Sequence, residues 1–146
     1  MTADATPARN AEPAQVRLEL TFPADPSRIS GIVERVVEIA REVHCSSGKE
    51  LEIGLAVAEA LANAVKHGCH NDAGKNVYLR LSTEPSGAIA ILVRDPGEGF
   101  DPRMVPDPRV GAGLESDHGR GLHMIRQLMD EVRFERGGAE IHMRKS

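Results

Sequence analysis

The chain has 146 residues, 40% of them hydrophobic, enough for one buried core and little room for a second. A formal net charge of -4, aromatics at 3% and no Trp supply neither the positive surplus that neutralises a phosphate backbone nor the platforms that stack bases, so nucleic acid is not an expected partner. The longest unbroken apolar run is Ala88 to Val93, far short of the roughly 20 residues that cross a bilayer, and no apolar N-terminal segment reads as a signal or anchor. Cys45 and Cys69 form neither a C-x-x-C pair nor a disulfide-dense pattern, which fits a reducing cytoplasm.

Met1 to Ala14 is Ala, Pro and small polar residues without periodicity, and reads as a flexible tail before one domain spanning 15–146. From Gln15 to Thr21 the apolar Val16, Leu18 and Leu20 alternate with polar residues, the period of a half-buried strand. Ser27 is placed to cap a helix whose apolar residues Ile29, Ile32, Val33, Val36, Ile39, Ala40 and Val43 recur at three and four. After Ser46-Ser47-Gly48, Lys49 to His67 reads as a second helix stopped by Gly68, with Leu51, Leu55, Ala58, Ala62 and Val65 as its apolar stripe. Asn76 to Thr83 and Ala88 to Asp95 form a hairpin turning at Glu84 to Gly87. Pro and Gly are dense from Pro96 to His118, the mark of a long loop or lid. Gly119 to Met129 reads as a third helix and Val132 to Arg144 as a hairpin turning at Gly137-Gly138. This order predicts an α/β sandwich: one mixed sheet with helices on one face.

Three segments carry candidate chemistry. Glu59 and Asn63 are four apart on the second helix and share a face. Asn is a modest helix former, so its place in an Ala-rich helix needs a reason, and a Mg²⁺ bound to triphosphate supplies one: a neutral amide oxygen is a hard ligand that adds no charge. Glu59 could then accept a proton from an attacking hydroxyl. Asp95-Pro96-Gly97-Glu98-Gly99 follows an apolar strand; a shielded carboxylate there can accept from the exocyclic amine of adenine, while Gly97 and Gly99 admit a ligand close to the backbone. Gly111-Ala112-Gly113, then His118-Gly119-Arg120-Gly121-Leu122, opens the third helix, whose free N–H groups and dipole favour an anion, with Arg120 adding charge. Singly, these also describe a solvated stripe, a Gly-rich turn and a helix start.

As a set, their order and spacing resemble the N, G1 and G2 boxes of the GHKL ATP-binding fold, and GRGLHMIRQLMDEV, from Gly119 to Val132, resembles the G2 box of its anti-sigma serine kinase branch. The resemblance covers nearly everything after the tail. It implies an α+β two-layer sandwich of the Bergerat type with a mixed, mostly antiparallel sheet. It also implies ATP and Mg²⁺, with Glu59 as general base, Asn63 as metal ligand and Asp95 as adenine contact. Lys66 and His67 fall where the family has residues near the phosphates. The implied partners are a STAS-type anti-sigma-factor antagonist, a sigma factor and a second copy of the chain.

The resulting expectation is a cytoplasmic, ATP-dependent serine/threonine kinase that acts as an anti-sigma factor. A nucleotide-gated binding module without transfer, and a detached histidine-kinase catalytic domain, are the alternatives. No His-containing phosphoacceptor segment is present, and Val43-His44-Cys45 does not substitute for one. His67, Cys69 and His70 lack a second ligand pair at zinc spacing.

Overall fold

A computed structural model describes residues 13–44, 48–97 and 117–146. Strand β1 (Gln15–Pro23) leads through a 3₁₀ turn (Pro26–Arg28) into α1 (Ile29–His44), followed by α2 (Lys49–Asn63) and a π-helical turn (Ala64–Gly68). Strands β2 (Asn76–Thr83) and β3 (Ile89–Arg94), helix α3 (Asp117–Leu128), and strands β4 (Glu131–Glu135) and β5 (Glu140–Lys145) complete the domain. The sheet order is β1-β2-β3-β5-β4, and all four pairings are antiparallel, where the element order alone had predicted a mixed sheet.

Alternation along the strands builds two unlike faces. Val77, Leu79, Leu81, Ile89, Ile91, Val93 and Met143 are buried in one cluster with Val36 and Ile39 of α1, Ile53, Val57 and Leu61 of α2, and Leu122 and Ile125 of α3. The helices therefore cover one face, as expected. The other face is polar and tied together by charge across all five strands. Glu19 accepts from the Tyr78 hydroxyl, the Arg94 guanidinium lies 4.6 Å over the Tyr78 ring, and Arg94 reaches Glu140 at 3.4 Å. His142 stands 2.7 Å from Glu140 and 3.6 Å from Glu135. Burial pushes the Glu140 carboxyl up, but His142 and Arg94 outweigh it and hold the group below its ordinary value.

The hairpins turn where their glycines allow positive φ: Gly87 at 94°, and Gly137 and Gly138 at 67° and 100°. Four local expectations are corrected. The entry to α1 is capped by Asp25, which accepts from the Ser27 N–H at 2.9 Å; Ser27 sits inside the 3₁₀ turn. A register shift between Val16 and Leu18 moves Val16 to the solvent side, where it is 50% exposed. Asp117 and His118, read as loop, already belong to α3.

The fourth correction concerns α2. Its buried face is Ile53, Ala56, Val57, Ala60 and Leu61, whereas Leu51 and Leu55, read as core, are 61% and 55% exposed. The helix is apolar nearly all round, so periodicity offered two stripes and did not say which packs. Gly54 decides it: a Cβ there would meet Val37 Cγ2 at 2.7 Å, so this side of α2 lies close against α1.

Candidate nucleotide site

The α-helical ladder of α2 ends at Asn63, four residues before the expected end at His67. The chain widens into a π turn, with the Cys69 N–H donating to Ala64 O and the Asn71 N–H to Val65 O at 2.8 Å. His70 and Asn71 then hold φ of 53° and 58°, the left-handed region. This distortion rolls His67 and Gly68 toward the end of β3.

A cleft of about 580 Å³ opens between the π turn, the end of β3, α3 and the β4–β5 hairpin. One wall is apolar, from Ala60, Ala64, Val93, Leu122, Phe134 and Ile141, and the two alanines leave room for a flat ring system. Polar side chains enter from Asn63, His67, His70, Lys75 and Asp95.

Asp95 sits at the strand end with its N–H bound to Ala139 O at 2.9 Å. Its Oδ1 accepts from the Gly97 N–H at 2.7 Å. Burial raises the carboxyl above its ordinary value, and only the Gly97 bond works against that. The structure thus holds a costly half-buried carboxylate against an apolar wall. Gly68, read from sequence only as a helix stop, is packed so tightly that a Cβ would fall on the Asp95 carboxyl, and a Cβ on Gly97 would lie 2.5 Å from Gly68 O. Gly68→Ala is accordingly expected to cost about 1–3 kcal/mol of stability and to displace Asp95. Thermal melting with and without ADP checks this; an unchanged melting temperature with an unchanged ADP-induced rise would show that the turn yields freely.

Glu59 and Asn63 are both half-buried and lie against Gly121 in the second turn of α3. A Cβ on Gly121 would meet Glu59 Oε2 at 2.8 Å and the Asn63 amide at 3.4 Å. The missing Cβ lets the second turn of α3 come close to this pair, and a larger side chain there would push the Glu59 carboxylate aside. Asn63 Nδ2 is buried and has no hydrogen-bond partner among the described residues. A half-turn of the amide puts its oxygen in the same place, so this end of the side chain can meet either a metal ion or a phosphate oxygen. Asn63→Ala should therefore abolish the Mg²⁺ dependence of nucleotide binding while leaving apo stability intact, because it removes an unsatisfied group. If titration calorimetry shows the Mg²⁺ dependence retained, or melting shows a loss of several kcal/mol, Asn63 is a structural polar group.

The other sequence-predicted residues divide. Asn63, His67, Asp95, Gly97 and Leu122 line the cleft, and Gly121 adjoins it beside Glu59. Gly119 lies in the first turn of α3. Lys66 and Arg120 are exposed and do not line the cleft. Gly99, Gly111 and Gly113 fall outside the described residues. His70 and Lys75 were missed, since neither stands in a motif; the positive φ values after the π turn bring that segment round.

Comparison with known proteins gives the relatives and the family of the chain. The serine-protein kinase RsbW of Bacillus licheniformis is 30% identical over 127 residues, spanning 81% of this chain and 77% of that one. An anti-sigma F factor from Priestia megaterium is 31% identical over 87 residues, 58% of each chain. The structure of the RsbU and RsbW domains of a Mycobacterium tuberculosis protein superposes with a TM-score of 0.60 at 19% identity, covering 92% of this chain, which spans only 32% of that longer one. That likeness establishes the shared fold. The histidine kinase-like ATPase domain matches residues 22–145, from the end of β1 through the last residue of β5, and the chain belongs to that family.

Proposed function

We propose that this protein is an ATP-dependent serine/threonine kinase of the partner-switching kind, which phosphorylates an anti-sigma-factor antagonist and binds a sigma factor. The observation that carries the reading is the convergence of Glu59, Asn63 and Gly121, in the second turn of α3, beside a cleft that ends in the half-buried Asp95. The RsbW and anti-sigma F relatives support the same assignment.

In this reading Asp95 accepts from the adenine amine and the apolar wall takes the faces of the base. Asn63 would hold a Mg²⁺, which would offset charge on the triphosphate. Backbone N–H groups at the start of α3 face the phosphates, and Arg120 swings toward them from the surface. Glu59 takes the proton of the partner's hydroxyl as its oxygen bonds to the γ-phosphorus and the bond to the β–γ bridging oxygen breaks, leaving ADP. Little covalent work falls to the protein; positioning and charge placement supply most of the acceleration.

The test is incubation with γ-labelled ATP, Mg²⁺ and purified antagonist proteins, followed by phosphoamino-acid analysis. Acid-stable phosphoserine or phosphothreonine is the expected product. Acid-labile phosphohistidine would mark a histidine-kinase catalytic domain, and binding of ATP without transfer would mark a nucleotide-gated module.

A further inference from the structure

Helix α2 leaves its outer stripe uncovered, and that stripe leads to Glu59. Leu51 and Leu55 are the large hydrophobic side chains it exposes, at 61% and 55%, and half-buried Ala58 and Ala62 continue the same line. Glu59 lies one turn beyond Leu55, so the two leucines stand about 6 and 12 Å along the axis from the carboxylate. Neighbouring charges are engaged: Glu52 pairs with Lys145 at 3.5 Å, and Lys49 donates to Ser146 O at 2.7 Å. The ridge is therefore apolar between satisfied polar groups, with a proton acceptor at one end.

We infer that the Leu51–Leu55 ridge docks the protein whose hydroxyl Glu59 serves, and so determines which protein is phosphorylated. This rests on the kinase reading above. Two arguments favour that occupant over a second copy of the chain. The ridge is continuous with Glu59, so whatever covers it also stands over the candidate base. Its two leucines offer on the order of 200 Å² of apolar surface, against roughly 800 Å² per partner in a stable interface, so it suits the anchor of a transient complex. The partner must carry an apolar cluster about 6–12 Å from its acceptor hydroxyl, which on a helix means residues one and two turns away.

The experiment compares wild type with L51S/L55S in transfer kinetics, using each purified anti-sigma-factor antagonist of the source organism as substrate, with ADP affinity and melting temperature measured alongside. Both leucines are exposed, so the fold and ADP affinity should hold. KM for the antagonist should rise about 10- to 100-fold with kcat nearly unchanged, because the ridge binds ground state and transition state alike. An unchanged KM would overturn the docking role while leaving the kinase reading standing. Absence of transfer by wild type to any antagonist would overturn both. A wild-type dimer that falls apart in the double variant, with KM unchanged, would assign the ridge to self-association and overturn the proposal as well.

Discussion

Glu59→Ala is expected to slow phosphoryl transfer by about 10²–10⁴-fold while ATP affinity stays within a few fold. A general base acts on the acceptor hydroxyl in the transition state and contributes little to holding the nucleotide, so binding and chemistry should separate at this residue. The placement is consistent with that division: Glu59 adjoins Gly121 but does not line the cleft that Asn63 and Asp95 enter. Single-turnover transfer, with nucleotide affinity measured separately, checks it. Transfer at the wild-type rate would remove Glu59 from the reaction, and a collapse of ATP affinity would make it an organiser of the metal and its water. Glu59→Gln should be as slow as Glu59→Ala if proton acceptance is the role.

Asp95→Asn should weaken ADP binding by about 1.5–3 kcal/mol, roughly 10- to 100-fold, and yet stabilise the apo protein. The amide keeps an oxygen for the Gly97 N–H, so the local turn survives. It loses the charged acceptor and can turn a donor toward the adenine amine. The stability gain follows from the direction of the pKa shift: burial raises the folded-state value of Asp95 above its unfolded one, so ionisation at neutral pH penalises the native state. That penalty is absent below the unfolded value, about 4, and grows as pH rises through the folded one. The melting-temperature advantage of Asp95→Asn should accordingly be largest near neutral pH and shrink as pH falls toward 4. An advantage independent of pH, or a loss of stability, would mean that the Asp95 charge is compensated in the apo state. With Asp95 as the proposed adenine contact, function would rest on a residue that costs stability, a common arrangement in binding sites.

The elements were legible because each carries its own local signal. Alternating apolar residues gave β1, β-rich segments on either side of Glu84 to Gly87 gave β2 and β3, glycines gave both hairpin turns, and the three-four spacing of Val36, Ile39, Ala40 and Val43 gave α1. What was lost depended on tertiary choices. The face that α2 buries was misread because Ala, Leu and Ile surround the helix, and only packing of Gly54 on Val37 selects a side. The bulge before Leu18 exposes Val16 although the alternation includes it. The π turn had no pattern to announce it: Ala64 to Gly68 reads as ordinary helix, and the widening shows only in the structure, in bonds such as that from the Cys69 N–H to Ala64 O. That turn is what carries His70 and Lys75 to the cleft, so sequence motifs pointed to Asn63, His67, Asp95, Gly97 and Leu122 of the cleft lining but not to His70 and Lys75. Gly68 shows the same limit, since a residue that reads as a helix stop also sets how near Asp95 can approach.

The central claim is that one cleft holds the nucleotide with its base at Asp95 and its terminal phosphate toward Glu59. A crystal structure with Mg²⁺ and a non-hydrolysable ATP analogue tests it most directly. The account predicts the adenine amine within hydrogen-bond distance of the Asp95 carboxylate, the metal on the Asn63 side-chain oxygen, and the γ-phosphate beside the first turn of α3 on the side of Glu59. A nucleotide bound elsewhere, or bound in this cleft with its phosphates directed away from Asn63 and Glu59, would contradict it.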